Sequence, residues 1–325
     1  MRIGLTYDLR SGTGGEHEAE YDSPETISAL SEAIESAGHT SIRIGGLDAL
    51  LRNLVDGERW DLVFNIAEGR GGFGREAQVP ALLDAYNIPY TFSDSLTLAV
   101  ALHKGFAKRL VHEAKIATAP FAVIEDPEEL KNLDLSFPLF AKPVAEGSGI
   151  GISARGRADD LEALAYIVTH LLQRYQEPVL VERYLEGREY TVGIIGTGRQ
   201  ARILGTLAVE SRTTSLSPLP AYGHEEKERY EERVHYRLVE GMESREIETL
   251  ALAAHRTLGC RDLSRVDVRC DADDQAFFLE INPLPGLHPL RSDIVILARY
   301  RGMTYEALIS SVLEEALSRH HPHRT

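Results

Sequence analysis

The sequence predicts a chain of mixed class: a parallel α/β unit at the N-terminus, then α+β units built on antiparallel strands. Three observations carry that prediction. Residues 2–66 alternate short apolar runs with amphipathic stretches, the pattern of β-α-β units. Beyond residue 175, PVLVERYLEGREYTVGII reads as two strands interrupted at Glu186–Gly187, and RVDVRCDADDQAFFLEIN as two antiparallel strands joined by a polar turn. A chain of 325 residues with 43% hydrophobic content also exceeds one comfortable core, so two or three domains are expected.

Composition narrows the function classes. A net charge of -15 argues against wholesale binding of nucleic acid or anionic membrane, so a polyanion site must gather its own Lys and Arg. Cys260 and Cys270 form no CxxC and no paired framework, which fits buried thiols in a reducing, cytoplasmic compartment. The opening MRIGLTYDLR is too short and polar for a signal sequence, and no apolar run approaches the ~18 residues of a spanning helix.

In chain order, RIGLTY reads as a buried strand, followed by a polar loop and a helix opened by Ser23, Pro24 and Glu25. Ile27, Leu30, Ala33 and Ile34 make its apolar stripe, and Gly38 stops it. SIRIGG, a helical piece over 47–55 and the strand DLVFNI complete a small parallel unit reaching to about residue 95. Ligands of such sheets sit beyond the strand C-termini, at the loops 8–22 and 65–76. The second loop holds Gly69-x-Gly71-x-x-Gly74 with Asp94 twenty residues on, which fits a dinucleotide fingerprint superficially; it follows the third strand rather than the first.

Helices over 95–102 and 104–114 precede short strands at 120–124 and 138–142. Lys142 then ends a buried strand, and Gly147, Ser148, Gly149 and Gly151 follow. Glycines let backbone N–H groups close around phosphate oxygens, and a strand-end lysine adds charge. No GK[ST] closes the loop, so it is not a P-loop; a plain surface hairpin also suits the pattern. A helix over 159–174 leads to two strands interrupted at Glu186–Gly187, whose Glu182 and Glu189 leave one sheet region and suit nucleotide hydroxyls or rim pairing with Arg183 or Arg188. Residues 210–235 lose periodicity, the mark of a functional lid or of disorder, and carry Tyr222, Lys227, Arg229 and Tyr230.

After a helix over 244–258 comes the hairpin that gives the chain its chemistry. Arg265, Asp267 and Arg269 alternate with Val266, Val268 and Cys270, while Phe277, Leu279 and Ile281 alternate with Phe278, Glu280 and Asn282. A turn near Asp273 and Asp274 sets Asp267 opposite Glu280. With Asn282, these are three hard oxygen donors beside the cationic Arg265, a set suited to magnesium and nucleotide phosphates; a solvated edge hairpin has the same spacing. Gly286 can offer a bare N–H to an oxyanion. A helix over 305–319 closes the chain, and the tail HHPHRT reads as a solvated end.

The ordered motifs KP-x-x-EGS-G-x-G at 142–151, VER-x-L-x-G-x-EYTV at 181–192, RVDV at 265–268 and LEINPLPG at 279–286 give the chain a family resemblance. It resembles the D-alanine–D-alanine ligase family of ATP-grasp carboxylate–amine ligases. The resemblance implies an ATP-grasp fold in three parts: an N-terminal α/β domain over 1–95, a central subdomain over 96–185 and a C-terminal subdomain over 186–325. ATP would lie between the last two.

By resemblance, Lys104, Lys142, Ser148 and Gly149 belong to the ATP phosphates, Glu182, Tyr184 and Leu185 to adenine, Glu189 to the ribose, and Glu146 to the same nucleotide site. Asp267, Glu280 and Asn282 would hold two magnesium or manganese ions; Arg265, Gly286 and the lid lysine Lys227 would be catalytic. An ATP-dependent enzyme joining two amino acids, a homodimer supplying peptidoglycan precursors, is the implied protein; an ATP-binding regulator without turnover is the alternative. Departures from the pattern fall at the amino-acid side. Glu68 stands where the family has His, Glu228 where it has the lid tyrosine, and no acid of GTGGEHEAEYD aligns cleanly. Counting from Asn282 puts Arg291 and Ser292 at the second substrate, with Arg291 able to hold a carboxylate bidentately.

Overall fold

The computed structural model describes residues 1–11, 16–147, 156–211 and 234–320. Strands β1 (Arg2–Tyr7), β2 (Thr40–Gly45) and β3 (Leu62–Ile66) form a parallel sheet in the order β2-β1-β3. Helix α1 (Pro24–Ser36) starts where expected, with the Ser23 hydroxyl accepting the Thr26 N–H and Gly38 at φ +83° beyond its end. Ile27, Leu30 and Ile34 are buried against Ile3, Leu5 and Phe64 and against the terminal helix, Tyr305–His320. At ~1.5–3 kcal/mol for each fully buried aliphatic side chain, this stripe holds α1 more than its propensity does. On the sheet's other face, α2 (Leu47–Val55) and α3 (Gln78–Ala85) bury Leu50, Leu54, Val79 and Leu83.

Helices α4 (Ser95–Leu102) and α5 (Lys104–Glu113) meet at His103, whose Nδ1 caps α5 by accepting the Phe106 N–H. That tight junction seats Lys104 in the first turn of α5, buried. Strands β4 (Phe121–Ile124), β5 (Leu139–Pro143), β6 (Arg157–Ala158) and β7 (Val179–Arg183) form an antiparallel sheet in the order β4-β7-β5-β6, with α6 (Leu161–Tyr175) packed on β5.

The third sheet, β10-β9-β8-β11-β12, is antiparallel throughout. Its strands are β8 (Glu189–Ile195), β9 (Arg202–Ser211), β10 (Val234–Val239), β11 (Leu263–Cys270) and β12 (Ala276–Asn282). Period-two alternation gives it two unlike faces. Tyr190, Val192, Ile194, Val266 and Val268 pack on α5 and on α7 (Met242–Thr257). The opposite face is shared: Ile195 and Leu263 lie in the core with α8 (Asp293–Tyr300) and α9, the terminal helix, while Glu189, Thr191, Arg265, Asp267 and Arg269 face a cleft.

Several elements depart from the sequence expectations. The hairpin pairs Asp267 with Glu280 as expected, but Val268 pairs with Phe278, leaving Leu279 as a bulge. Simple alternation of Phe278 with Glu280 therefore fails: Phe278 and Ile281 are core residues, and Leu279 and Glu280 both reach the cleft. Glu182 and Glu189 lie on different sheets, because the chain crosses from β7 to β8 between them. Helix α8 was not foreseen; it follows a Pro-rich run, NPLPGLHPL, that masks its short apolar stripe.

Candidate active site

The cleft is walled by both antiparallel sheets: Phe140 and Lys142 on β5 and Glu182 on β7 face Glu189, Asp267 and Glu280 on β8, β11 and β12. One end is apolar and aromatic. Tyr184 has its ring 6.3 Å from that of Phe140 and lies under the guanidinium groups of Arg157 (4.8 Å) and Arg269 (5.4 Å). Leu185 is buried beside Phe277 and Leu279. The other end is charged. A purine-sized ring and a polyanion are the ligands that such a polarised cleft suits.

At the charged end, Lys142 Nζ lies 2.9 Å from one Glu182 oxygen and Lys108 Nζ lies 2.8 Å from the other. All three side chains are nearly dry. Burial works against the Glu182 charge, but the two lysines pull its pKa down to about 2. Burial likewise opposes the charge on Lys142, yet Glu182 and Glu280 hold its pKa above the usual value. Glu182 is thus the counter-ion of two lysines as well as a wall of the cleft. Lys108, fully buried and also bonded to Thr118 Oγ1 and the Phe278 carbonyl, was missed because its partners lie far away in sequence. Lys104 donates to the Glu146 carbonyl at 2.6 Å and stands 3.9 Å from Glu280.

Across the hairpin, Arg265 clamps Asp267 (2.9 Å) and reaches Asp293 at the start of α8 (3.2 Å). Burial disfavours the guanidinium charge, and the two carboxylates more than restore it. The Thr191 hydroxyl donates to Asp267 at 3.0 Å. The Asp267 carboxyl is pushed up by burial and by Glu280, against the pull of Arg265. Among the described residues no group of three His, Cys, Asp or Glu side chains is arranged to hold a metal. The donor set is two facing carboxylates and the Asn282 carboxamide. That number fits magnesium, which keeps water and phosphate oxygens in its shell. Glu189 pairs with Arg269 at 3.3 Å, and burial raises its pKa.

Beside this cleft lies a second cavity of about 100 Å³ that shares Arg265 and Glu280 with it. Lys104, Asn282 and Gly286 line one end, and Glu20, Glu68 and Glu76 the other. Glu20 pairs with Arg75 at 2.9 Å, both side chains about nine-tenths buried. Of the N-terminal-loop acids that motif counting could not align, Glu20 is the one that lines this cavity. The side chains of Glu68 and Glu76 make no hydrogen bond or ion pair among the described residues. Burial first, then Glu20, raises both carboxyls, Glu76 to about 7.

Not every expected residue reaches these cavities. Arg291 is exposed, bonds to His288 Nε2 at 2.9 Å and lines neither cavity, because the turn before α8 aims it outward. The Ser292 hydroxyl accepts the His288 N–H, and a Cβ on Gly286 would stand 3.0 Å from it. Ser148, Gly149 and Lys227 lie outside the described residues, as do Tyr222, Glu228, Arg229 and Tyr230. The glycine fingerprint has a local explanation: Gly69, Gly71 and Gly72 hold positive φ, the Gly69 N–H donates to Asp8, and a 3₁₀ turn at Arg75–Ala77 stands between the loop and α3. A nicotinamide site would need that N–H free and a helix N-terminus there.

A family model described as the D-ala D-ala ligase C-terminus matches residues 110–314. The D-alanine–D-alanine ligase of Pelobacter propionicus is 34% identical over 251 residues, 76% of each chain. That of Bordetella avium is 30% identical over 290 residues, covering 86% of this chain and 87% of the relative. Among solved structures, D-alanine–D-alanine ligase from Bacillus anthracis complexed with ATP matches with a TM-score of 0.76 at 20% identity, over 98% of both chains. VanG D-Ala:D-Ser ligase from Enterococcus faecalis matches at 0.74 and 18% identity, over 97% of this chain and 99% of its own. These structural likenesses give the fold, which is ATP-grasp. With the family model spanning well over half its length, the chain belongs to the D-alanine–D-alanine ligase family.

Proposed function

We propose that this protein joins two amino acids through an acyl phosphate formed with ATP, D-alanine being the substrate named for its relatives. The observation that carries the reading is the shared cleft, where the central sheet offers Lys142 opposite the carboxylates of the C-terminal hairpin. Adenine would lie against Phe140, Tyr184 and Leu185, and the ribose against Glu189. Lys104 and Lys142 would offset charge on the phosphoryl oxygens, where electrostatics contributes most of the catalysis. Asp267, Glu280 and Asn282 would hold magnesium, which supplies Lewis-acid neutralisation of the phosphates when bound.

The first amino acid's carboxylate oxygen attacks the γ-phosphorus, the bond to the bridging oxygen breaks, and ADP leaves. The second amino acid's amine attacks the acyl carbon; Arg265 and the Gly286 N–H would face the resulting oxyanion, and phosphate departs as the amide forms. Lys227, Ser148 and Gly149 are proposed, on the motif match alone, to close over the phosphates. A cytoplasmic homodimer is proposed on the same ground; two free, buried cysteines agree with a reducing compartment, and no described helix is long and apolar enough to cross a membrane.

The test is phosphate release from ATP over a panel of D- and L-amino acid pairs. We expect release that depends on an amino acid and is abolished in Glu280→Gln, with the variant still folded by circular dichroism. Undiminished release in the variant would remove the metal assignment, and nucleotide binding with no release on any pair would favour a regulator.

A further inference from the structure

The second cavity is polarised along its length. At one end stand Lys104 and Arg265, with the Asn282 carboxamide nitrogen fully buried and lacking a hydrogen-bond partner among the described residues. A buried donor left unpaired is costly, and a ligand oxygen at this end relieves it. At the other end are three carboxyls, Glu20, Glu68 and Glu76, and one guanidinium, Arg75, already committed to Glu20. Glu76 is only 9% exposed and its side chain has no hydrogen-bond or ion-pair partner among the described residues. An amino acid laid with its carboxylate toward Arg265 has one α-ammonium to offer, enough for one of the two uncommitted carboxyls. For the other there remain, among the described residues, only Arg75, committed to Glu20, and Lys104, and these leave the Glu76 pKa raised, so a further cation or a retained proton is needed.

We propose that the substrate of this cavity is an amino acid with a basic side chain, its second cation held between Glu68 and Glu76. The inference rests on the ligase reading for the direction in which the substrate lies, and deepens it by naming the substrate class. It also accounts for the departure at residue 68, where a fixed carboxyl replaces the family's histidine. In the protein without substrate the two carboxyls face Glu20, Asp22, Arg75 and Lys104, and burial with acidic neighbours raises both above the usual carboxylate range, Glu76 to about 7. A dication takes the place of the protons held there, so binding releases them.

The test is calorimetric titration of 2,4-diaminobutyrate and ornithine, in both D and L forms, against their uncharged isosteres norvaline and norleucine. It is run at pH 6.5 in two buffers of different ionisation enthalpy. The expected result is at least tenfold tighter binding of one diamino acid than of its isostere, with proton release, and loss of that preference in Glu68→Gln and Glu76→Gln. Equal binding of isosteres, absence of proton release from the wild-type protein, or a preference that survives in both variants overturns the proposal. Phosphate release assayed on the same compounds separates the two ideas. Turnover on D-alanine without a basic preference sinks this inference and leaves the ligase; basic preference and proton release without turnover on any amino acid does the reverse.

Discussion

Lys108 touches no bound ligand in the proposed scheme, yet it decides the charge of the residue that steadies Lys142. Exchanging it for methionine keeps its volume and removes one of the two cations on the dry Glu182 carboxylate. Breaking a buried pair in this way costs about 3–5 kcal/mol. Urea unfolding of Lys108→Met should show a loss of that order; a loss under ~1 kcal/mol would mean that Glu182 is solvated or satisfied by Lys142 alone. A second expectation concerns Glu76, whose pKa rises from 4.5 to about 7 on folding, chiefly through burial. A raised carboxyl pKa gives stability that is full below about pH 4.5 and is lost as pH climbs through about 7. Glutamine mimics the protonated form, so Glu76→Gln should gain in melting temperature relative to wild type across that window, and a pH-independent difference would contradict the burial argument. Of these residues, the sequence made Asp267 and Glu280 visible, since a ladder with a short turn pairs them. Lys108 and Glu76 stayed invisible because their surroundings are assembled from segments far apart in the chain.

The cleft exists because single positions let elements approach or splay. A Cβ on Gly193 in β8 would stand 2.7 Å from both Ile294 Cδ1 and Leu297 Cδ2 of α8. Since α8 carries Asp293, which holds Arg265, that contact helps place the guanidinium. Overpacking of this kind typically costs 1–3 kcal/mol. Gly193→Ala should therefore lose about that much in denaturant unfolding, whereas Gly74→Ala, with open space around it and no positive φ, should stay near wild type. Equal behaviour of the two would show that α8 yields freely. Helix starts such as Ser23–Pro24 and stops such as Gly38 were legible because the chemistry of a cap is local. The Leu279 bulge and the change of sheet between Arg183 and Glu189 were not, because both depend on which strands meet and period-two spacing is silent on that.

Over the whole molecule, a net charge of -15 must coexist with a site for a polyanion. The fold reconciles them by bringing Lys142 and Arg265 to the cleft, with Lys108 buried behind Glu182 and Lys104 beside Glu280 in the adjoining cavity. The order of motifs along the chain was enough to name the family and the ATP-grasp fold. Glu68 was legible as a departure on the amino-acid side, but its grouping with Glu20 and Glu76 was not, because loops from β1 and β3 build that lining together with the segment after β12. The central claim is that a carboxylate of the amino acid attacks ATP inside this shared cleft. The most direct measurement uses an accepted amino acid labelled with oxygen-18 in its carboxylate and follows the label by mass spectrometry. One labelled oxygen should appear in each phosphate released as the amide forms; phosphate carrying only solvent or ATP oxygens would contradict the account.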